Sequence, residues 1–158
     1  CHSDQALDIL KDPSTDERSV LGAIPYQVNE VVLHTDTSLL PRRRQAWAAW
    51  NYHSSGPLQN NGPVALTYNM NILQTLNVPD TFCVTLNDSS SINDEDVLER
   101  FEYHHPLFTP EGIAAQKRHT EISGIAHTHY CGAYWGYGFH EDGLNSALAV
   151  ARAFGVVV

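Results

Sequence analysis

The chain has 158 residues, of which 42% are hydrophobic and 17% are charged, and its formal net charge is -9. This length and composition predict one folded domain, or a fragment of a protein, rather than a disordered segment. The acidic excess argues against a nucleic-acid-binding surface, and no apolar run approaches the roughly 20 residues of a membrane-spanning helix.

The three cysteines, Cys1, Cys83 and Cys131, are odd in number and far apart in the sequence. This spacing argues against a disulfide framework, so we expect a reducing, cytoplasmic setting. The chain opens on Cys1 without a methionine, and Ser3 or Asp4 would cap a helix that begins at once. Because an αβ protein normally has a strand directly before such a helix, we expect the chain to be a piece of a longer protein.

Capping signals and hydrophobic periodicity predict helices near both ends of the chain and strands between them. In chain order we predict helices over 5–10 and 16–24, strands over 27–36 and 46–53, a loop over 54–63, a strand over 64–69, a short helical link over 70–76, strands over 81–86 and 97–103, a helix over 110–119, a strand over 125–130 and a helix over 142–154. The pattern is typical of an α+β fold with a mixed, mostly antiparallel sheet and flanking helices. It divides the chain into N-terminal helices (1–24), a sheet region (25–130) and a C-terminal turn and helix (131–158).

Residues 131–143 interleave glycines with aromatic residues and lead into an apolar, alanine-rich helix. Glycines let a backbone approach a ligand closely, and the N-terminus of the following helix offers N–H groups to an electron-rich ligand edge. The simpler interpretation is a loop-to-helix corner whose aromatic side chains belong to the core. Glu141 and Asp142 lie at the helix start, where capping by Asp142 explains the pair without a catalytic role. Spacing alone slightly favours the loop-to-helix corner.

The run from His127 to Cys131 contains two histidines and a cysteine at alternate positions. On a strand, the side chains of His127, His129 and Cys131 would point to one face and could meet a zinc ion. Alternate positions lie about 6–7 Å apart, which is wide for ligands of one ion. We therefore predict no metal site, and buried or hydrogen-bonded side chains instead. For the second pair, His104 and His105, a structural role at a strand end is favoured over proton transfer.

The C-terminal stretch resembles a flavin-contact motif. Gly132-Ala133 and the run from Gly138 to Ala147 are similar to the C-terminal motif of FAD-dependent amine oxidases and phytoene-desaturase-like oxidoreductases. Further segments resemble the bacterial predicted NAD/FAD-binding protein branch, which is also similar to the oxidase-like N-terminal part of plant cyclopropane fatty acid synthases. These segments are distributed over nearly the whole chain, at 1–7, 31–36, 40–43, 50–52, 66–71, 82–87 and 103–106.

The resemblance implies FAD as the cofactor and a contact between the flavin and the C-terminal turn and helix start. The residues that it assigns to the flavin are Gly132, Ala133, Gly138, Phe139, His140, Glu141, Asp142, Gly143 and Leu144. A substrate pocket would be lined by Trp47, Trp50, Tyr134 and Trp135, and no catalytic residue is identified. For Trp47 and Trp50, packing in the core is an equally good interpretation. Where the wider superfamily has Gly-Asp, this chain has Gly132-Ala133, so no carboxylate is present there to bind the ribityl or pyrophosphate group.

In this superfamily the dinucleotide-binding fold lies N-terminal to the segments present here. The resemblance therefore implies the C-terminal, substrate-domain segment of a flavin-dependent oxidoreductase that oxidises an amine or desaturates a lipid-like substrate by hydride transfer to FAD. Without its FAD-binding domain, the segment is expected to bind no flavin and to be inactive. The alternative function is a non-catalytic protein- or metal-binding module that uses the sheet and the histidines.

The C-terminal helix carries an apolar stripe that would normally lie against the absent domain. The stripe consists of Leu144, Ala147, Leu148, Ala151 and Phe154. In the isolated chain we expect it to be exposed, and either homo-oligomerisation through this helix or local repacking would cover it.

Overall fold

The computed structural model describes residues 1–53 and 64–156. These residues form two compact units. Unit 1 takes its residues from Cys1–Gln27 and His105–Val158, and unit 2 takes its residues from Val28–His104. The loop predicted over 54–63 lies outside the described residues.

The described helices and strands confirm the α+β class. The helices are α1 (Ser3–Ile9), α2 (Thr15–Leu21), α3 (Met70–Leu73), α4 (Pro110–Gln116), α5 (His119–Ile122) and α6 (His140–Ala153). The strands are β1 (Tyr26–His34), β2 (Trp50–His53), β3 (Ala65–Asn69), β4 (Cys83–Leu86) and β5 (Val97–Pro106). Short 3-10 helices lie at Arg44–Ala46, Ser89–Ser91, Asp94–Asp96 and Ala133–Trp135. Within the described residues, no helix has the length and apolar character needed to cross a membrane.

Local capping explains where the helices of unit 1 begin and end. The Ser14 hydroxyl accepts a hydrogen bond from the Glu17 N–H (3.2 Å), and Glu17 Oε2 accepts one from the Ser14 N–H (2.7 Å), so this reciprocal pair starts α2. Thr109 caps α4 with its side chain, and Pro110 occupies the first turn. Gly155 follows α6 with a left-handed φ of 76°, a conformation that glycine adopts without strain.

The core of unit 1 is apolar and comes mainly from the helices and from the segment after α5. Its buried members are Val20, Leu21, Ile24, Ala115, Ile122, Tyr130 and Tyr134. Burial of a large aliphatic side chain stabilises a fold by about 1.5–3 kcal/mol. Because Tyr130 and Tyr134 belong to this cluster, it packs the chain segment between α5 and α6 against the helices of unit 1.

A five-stranded antiparallel sheet with the strand order β2-β3-β4-β1-β5 forms most of unit 2. His34 of β1 lies opposite Cys83 of β4, and Cys83 lies opposite Asn69 of β3. Two positions further along β4, Thr85 lies opposite Thr67. Because successive residues of a strand alternate between faces, these side chains share one face of the sheet.

The side chains on that shared face of the sheet are buried, and most of them are polar. The polar and thiol side chains buried on it belong to His34, Asn51, Thr67, Asn69, Cys83 and Thr85. A small apolar cluster of Val32, Leu39 and Ile92 is also buried in unit 2. The opposite face carries Trp50, which is 56% exposed and meets the Tyr68 ring edge to face at 5.3 Å. The usual apolar-inward pattern is therefore reversed in β3 and β4.

The strand predicted over 46–53 is wrong in its first half. Only Trp50–His53 is a strand. Asn51 bonds the backbone of Ala48 twice, with its Oδ1 accepting from the N–H (3.2 Å) and its Nδ2 donating to the carbonyl oxygen (2.8 Å). Such local side-chain bonds compete with strand pairing, so Trp47 and Trp50 do not share a strand.

The strand predicted over 125–130 is also wrong. Ala126 and His127 both adopt left-handed backbone conformations, with φ values of 49° and 60°. Extended pairing cannot continue through two such residues in succession. The chain reverses instead, and Ile125 and Thr128 form only an isolated bridge.

The helix predicted over 110–119 is divided into α4 and α5. The Lys117 N–H bonds the Ala114 carbonyl oxygen (3.3 Å), and the Arg118 N–H bonds that of Ala115 (2.9 Å). These three-residue spacings tighten the helix end into a 3-10 turn. A new short helix then begins at His119.

Candidate functional site

The C-terminal turn over 131–139, which precedes α6, is fixed by a side chain of α4. Gln116 donates from Nε2 to the carbonyl oxygens of Tyr134 (3.0 Å) and Gly136 (2.7 Å). Because one amide group bonds both carbonyls, the 3-10 segment Ala133–Trp135 cannot shift without breaking two hydrogen bonds.

The first part of α6 packs closely on the same turn. Ser146 Oγ accepts a hydrogen bond from the Gly132 N–H (2.9 Å) and donates one to the Gly143 carbonyl oxygen (2.8 Å). Gly143 lies against Ala133, since a Cβ at Gly143 would be only 3.8 Å from the Ala133 Cβ. The structure thus brings together Gly132, Ala133 and Gly143, three of the residues assigned to a flavin contact.

Asp142 holds the chain entering α6. Its Oδ2 accepts hydrogen bonds from the N–H groups of Tyr137 (3.1 Å) and Phe139 (3.0 Å), while Gly138 between them adopts a left-handed φ of 88°. The carboxylate is so close to Gly136 that a Cβ at that position would overlap it. The capping role predicted for Asp142 is confirmed, and it places a fixed negative charge at the helix N-terminus.

The first turn of α6 contains most of the other residues assigned to the flavin. Phe139 and Leu144 are exposed there, with Leu144 at 53%. The N–H groups of His140 and Glu141 have no acceptor within the helix, as in the first turn of any helix. The sequence between residues 131 and 145 contains no lysine or arginine. We call the segment 131–144, from the C-terminal turn to the first part of α6, the corner. It offers backbone N–H donors and carboxylates, but no cationic side chain other than a protonated histidine.

An open cavity of about 220 Å³ lies beside this corner. Its lining includes Gln116, His119, Trp135, Asp142, Asn145 and Ser146. The rings of His119 and Trp135 meet edge to face at 4.6 Å, so Trp135 is the predicted pocket residue that borders this space. Tyr134 instead lies in the apolar core, where burial raises the pKa of its hydroxyl to about 12. The volume is below the roughly 300–1,000 Å³ of complete ligand sites, so the cavity would hold only part of a ligand.

The other two predicted pocket residues, Trp47 and Trp50, lie in unit 2. The Trp47 Nε1–H donates to the Pro41 carbonyl oxygen (2.8 Å), and the Arg44 guanidinium lies 5.2 Å from the centre of the Trp47 ring. Both contacts fix the connection that precedes β2. Trp50 packs on Tyr68 and is otherwise largely exposed.

The three side chains considered for a zinc site, those of His127, His129 and Cys131, do not alternate along a strand. His129 packs on the Phe154 ring with a centroid distance of 4.7 Å, and Cys131 is an exposed free thiol. Across residues 1–53 and 64–156, no group of three His, Cys, Asp or Glu side chains is placed to hold a metal ion.

The apolar stripe of α6 is partly open. Leu144, Ala147 and Phe154 are exposed, and Leu148 and Ala151 are half-buried. Within α6 the buried residue is Ser146, which bonds the turn as described. The helix therefore contacts the rest of unit 1 through Ser146 in its second turn and through Phe154 at its end, which packs on His129.

Sequence reasoning missed a connected row of polar side chains in unit 2. The buried His34 bonds Thr85, Thr85 bonds Thr67, and Thr67 bonds His53. Burial lowers the pKa of His34, and the nearby Asp36 carboxylate opposes this effect only in part. The signal in the sequence is the strict alternation of polar and apolar residues in β3 and β4. The same alternation also fits strands that bury their apolar residues, so it does not identify the polar side as the buried one.

Comparison with known proteins assigns no family to the chain. No family model and no curated protein matches its sequence. The interpretation of function therefore rests on the residues and the geometry described above.

Proposed function

We propose that this chain is the substrate-domain segment of a flavin-dependent oxidoreductase of the amine oxidase or desaturase type, and that its corner over 131–144 contacts the flavin. The observation that carries the proposal is the close packing of Gly132 and Ala133 on the first part of α6 at Gly143. In the motif that this stretch resembles, the turn lies near the ribityl-pyrophosphate and a later helix N-terminus meets the pyrimidine edge of the isoalloxazine. The free thiols of all three cysteines agree with a reducing, cytoplasmic setting.

The charges of the corner favour the isoalloxazine edge over the pyrophosphate of FAD. Glu141 and Asp142 place two carboxylates at the start of α6, and these would repel a phosphate. A neutral flavin carbonyl oxygen could still accept hydrogen bonds from the N–H groups of His140 and Glu141. With Ala133 in place of an acid, the turn would bind through its backbone, and the pyrophosphate would depend on the FAD-binding domain.

The bound flavin would supply the hydride-accepting chemistry, and the protein would position the ring and exclude water from it. Within unit 1, Trp135 and His119 border the open cavity beside the corner. An aromatic wall of this kind suits an apolar amine or a lipid-like chain. The substrate would therefore lie against the rings of Trp135 and His119, with the Asp142 carboxylate also lining the cavity.

The proposal is tested on the complete polypeptide that carries this segment with its FAD-binding domain. Purified without added cofactor, it should be yellow and show the visible absorption of flavin. Leu144→Glu adds a third carboxylate to the first part of α6 and should weaken flavin retention about tenfold, which corresponds to about 1.4 kcal/mol. Phe154→Glu is the matched control at the far end of the same helix and should retain flavin normally.

A colourless complete protein that keeps zinc after dialysis would exclude the proposal and favour the non-catalytic alternative. For the 158-residue chain alone, we expect no turnover and no tight, saturable binding in an FAD titration, because the resemblance implies that the dinucleotide-binding fold lies N-terminal to the segments present here. Tight binding by the chain alone would contradict the proposal that the pyrophosphate is bound by a separate FAD-binding domain.

A further inference from the structure

A continuous row of hydrogen bonds crosses four strands of the unit 2 sheet. His53 Nε2 of β2 lies 3.1 Å from Thr67 Oγ1 of β3, and this hydroxyl lies 2.7 Å from Thr85 Oγ1 of β4. Thr85 Oγ1 in turn lies 2.8 Å from Nε2 of His34 in β1. The two imidazoles are therefore connected by two hydroxyl groups and nothing else.

The two ends of the row have different access to solvent. His34, Thr67 and Thr85 are completely buried at 0% exposure, whereas His53 is only half-buried. Among the described residues, Nδ1 of His34 has no hydrogen-bond partner of standard geometry. The backbone of Asp36 nevertheless raises the pKa of His34, which favours an N–H on the ring. A proton can thus enter the row at His53, while its effect appears at the buried ring.

The number of hydrogens in the row is fixed by its chemistry. Three hydrogen bonds link the four side chains, and each needs one hydrogen. Each threonine hydroxyl supplies one, so the third must come from the Nε2 of one of the two histidines. Two Nε2–H groups would leave one threonine hydrogen with no place in the row, and none would leave one bond without a hydrogen. The two Nε2 atoms therefore take opposite states.

We propose that this row is a relay that couples the protonation of His53 to the tautomer of His34. When His53 takes up a proton from water at Nδ1, it keeps its Nε2–H, and both hydroxyls must then donate toward β1. Nε2 of His34 accepts the last hydrogen bond, so His34 is held as the neutral Nδ1–H tautomer. When His53 is neutral, the reverse arrangement with Nε2–H on His34 and a bare Nδ1 is also open.

The surroundings of His34 suit a ring that changes its tautomer without changing its charge. Burial lowers the pKa of His34, while the carboxylates of Asp36 and Asp96 partly oppose this. Cys83, directly opposite on β4, has its pKa raised to about 11 by burial and by the Asp36 charge, so it remains a neutral thiol near neutral pH. At the other end, His53 has no ion-pair partner among the described residues. In the proposed relay only His53 changes its charge. In Thr67, Thr85 and His34 only the positions of the hydrogens change.

The test is a titration of the 158-residue chain followed by the imidazole nitrogen signals of His34 and His53 in ¹⁵N NMR, over the range of about pH 5 to 8 where histidine changes charge. On acidification, the Nε2 signal of His34 should move toward the bare-nitrogen position and the Nδ1 signal toward the N–H position. Both should move with the midpoint of His53, while His34 stays neutral. His34 signals that remain constant through the His53 titration would overturn the proposal.

Three variants separate a relay from a purely structural row. Thr85→Val removes one of the two hydroxyls and should make the His34 signals independent of the charge on His53, whereas Thr85→Ser keeps the hydroxyl and should preserve the coupling. His53→Gln removes the titrating group at a half-buried strand end, so it remains informative if Thr85→Val does not fold. A His34 transition with an unchanged midpoint in His53→Gln would overturn the proposal, and its disappearance would support it. All four side chains lie in unit 2, so the outcome is independent of the proposed flavin contact.

Discussion

The core of unit 1 consists of aliphatic and aromatic side chains, whereas the covered face of the unit 2 sheet carries histidine, threonine, asparagine and a thiol. Apolar burial is non-directional, and its contribution grows with the area removed from water. A buried polar row is different, because each group requires a partner at a defined distance and orientation. Unit 1 should therefore tolerate changes of shape that conserve volume, and unit 2 should respond to the loss of single polar atoms.

The largest effect is expected from removing volume in the core of unit 1. Leu21 is completely buried, so Leu21→Ala should lower the free energy of unfolding by about 2–5 kcal/mol, measured by urea denaturation followed by circular dichroism. Leu144→Ala makes the same chemical change at an exposed position and should cost less than about 0.5 kcal/mol. Equal effects of the two substitutions would show that the cluster around Leu21 is not the stabilising core of unit 1.

The next effect concerns a buried carboxylate in unit 2. Burial raises the pKa of Asp36, but hydrogen bonds from the N–H groups of Asn93 (3.0 Å) and Ser38 (2.8 Å) outweigh it and hold the pKa below the usual value. Asp36→Asn retains only one acceptor and should cost about 1–3 kcal/mol at pH 7. Asp94→Asn is the control, because the Asp94 side chain is 92% exposed.

The sign of the pH dependence follows from the lowered pKa of Asp36. A carboxylate whose folded pKa is depressed contributes stability above its unfolded pKa, and this contribution is lost as the pH falls through the folded value. The difference in stability between the wild type and Asp36→Asn should therefore shrink below about pH 4. A difference that stays constant from pH 7 to about pH 3 would show that the charge of Asp36 does not stabilise unit 2.

The smallest effect tests whether unit 1 also depends on single polar atoms. The Tyr130 hydroxyl donates to Glu17 Oε1 at 2.5 Å, and this bond lowers the pKa of Glu17. Because Glu17 is only partly buried, Tyr130→Phe should cost about 1–2 kcal/mol in thermal or urea unfolding at pH 7. Tyr137→Phe, at a site that is 74% exposed, should have no measurable effect. A loss from Tyr130→Phe as large as that from Leu21→Ala would remove the distinction between the two units.

The parts of the fold that the sequence predicts are those determined by nearby residues. Ser14 with Glu17, Thr109 with Pro110, and Gly155 mark helix boundaries through contacts within a few positions of the chain. The capping role of Asp142 was predicted for the same reason. Such signals act through local geometry and need no knowledge of the tertiary fold.

The parts that were missed depend on distant partners or on the phase of an alternation. Thr67 and Thr85 become buried partners only after β3 and β4 pair, and burying Leu66 and Tyr68 instead would satisfy the ordinary pattern equally well. The hydrogen bond from Gln116 to Gly136 in the C-terminal turn joins residues 20 positions apart, so no local motif predicts it. The reversal begins at a glycine, Gly124, whose φ is 90°, but the left-handed pair that follows, Ala126 and His127, contains no glycine. The sequence there therefore still predicts a strand.

The contact between Gly136 and the Asp142 carboxylate has a consequence for how this chain can evolve. Any side chain at position 136 would have to displace the group that holds the N–H groups of Tyr137 and Phe139. Substitution at position 136 is therefore costly while Asp142 is present, and it becomes tolerable only after Asp142 has changed. The two positions form an epistatic pair. We expect homologous sequences that keep Asp142 to keep Gly136 as well, and sequences with another residue at position 136 to lack Asp142. Gly136→Ala should accordingly be more damaging in the wild-type background than in Asp142→Gly, where the space beside the turn is free.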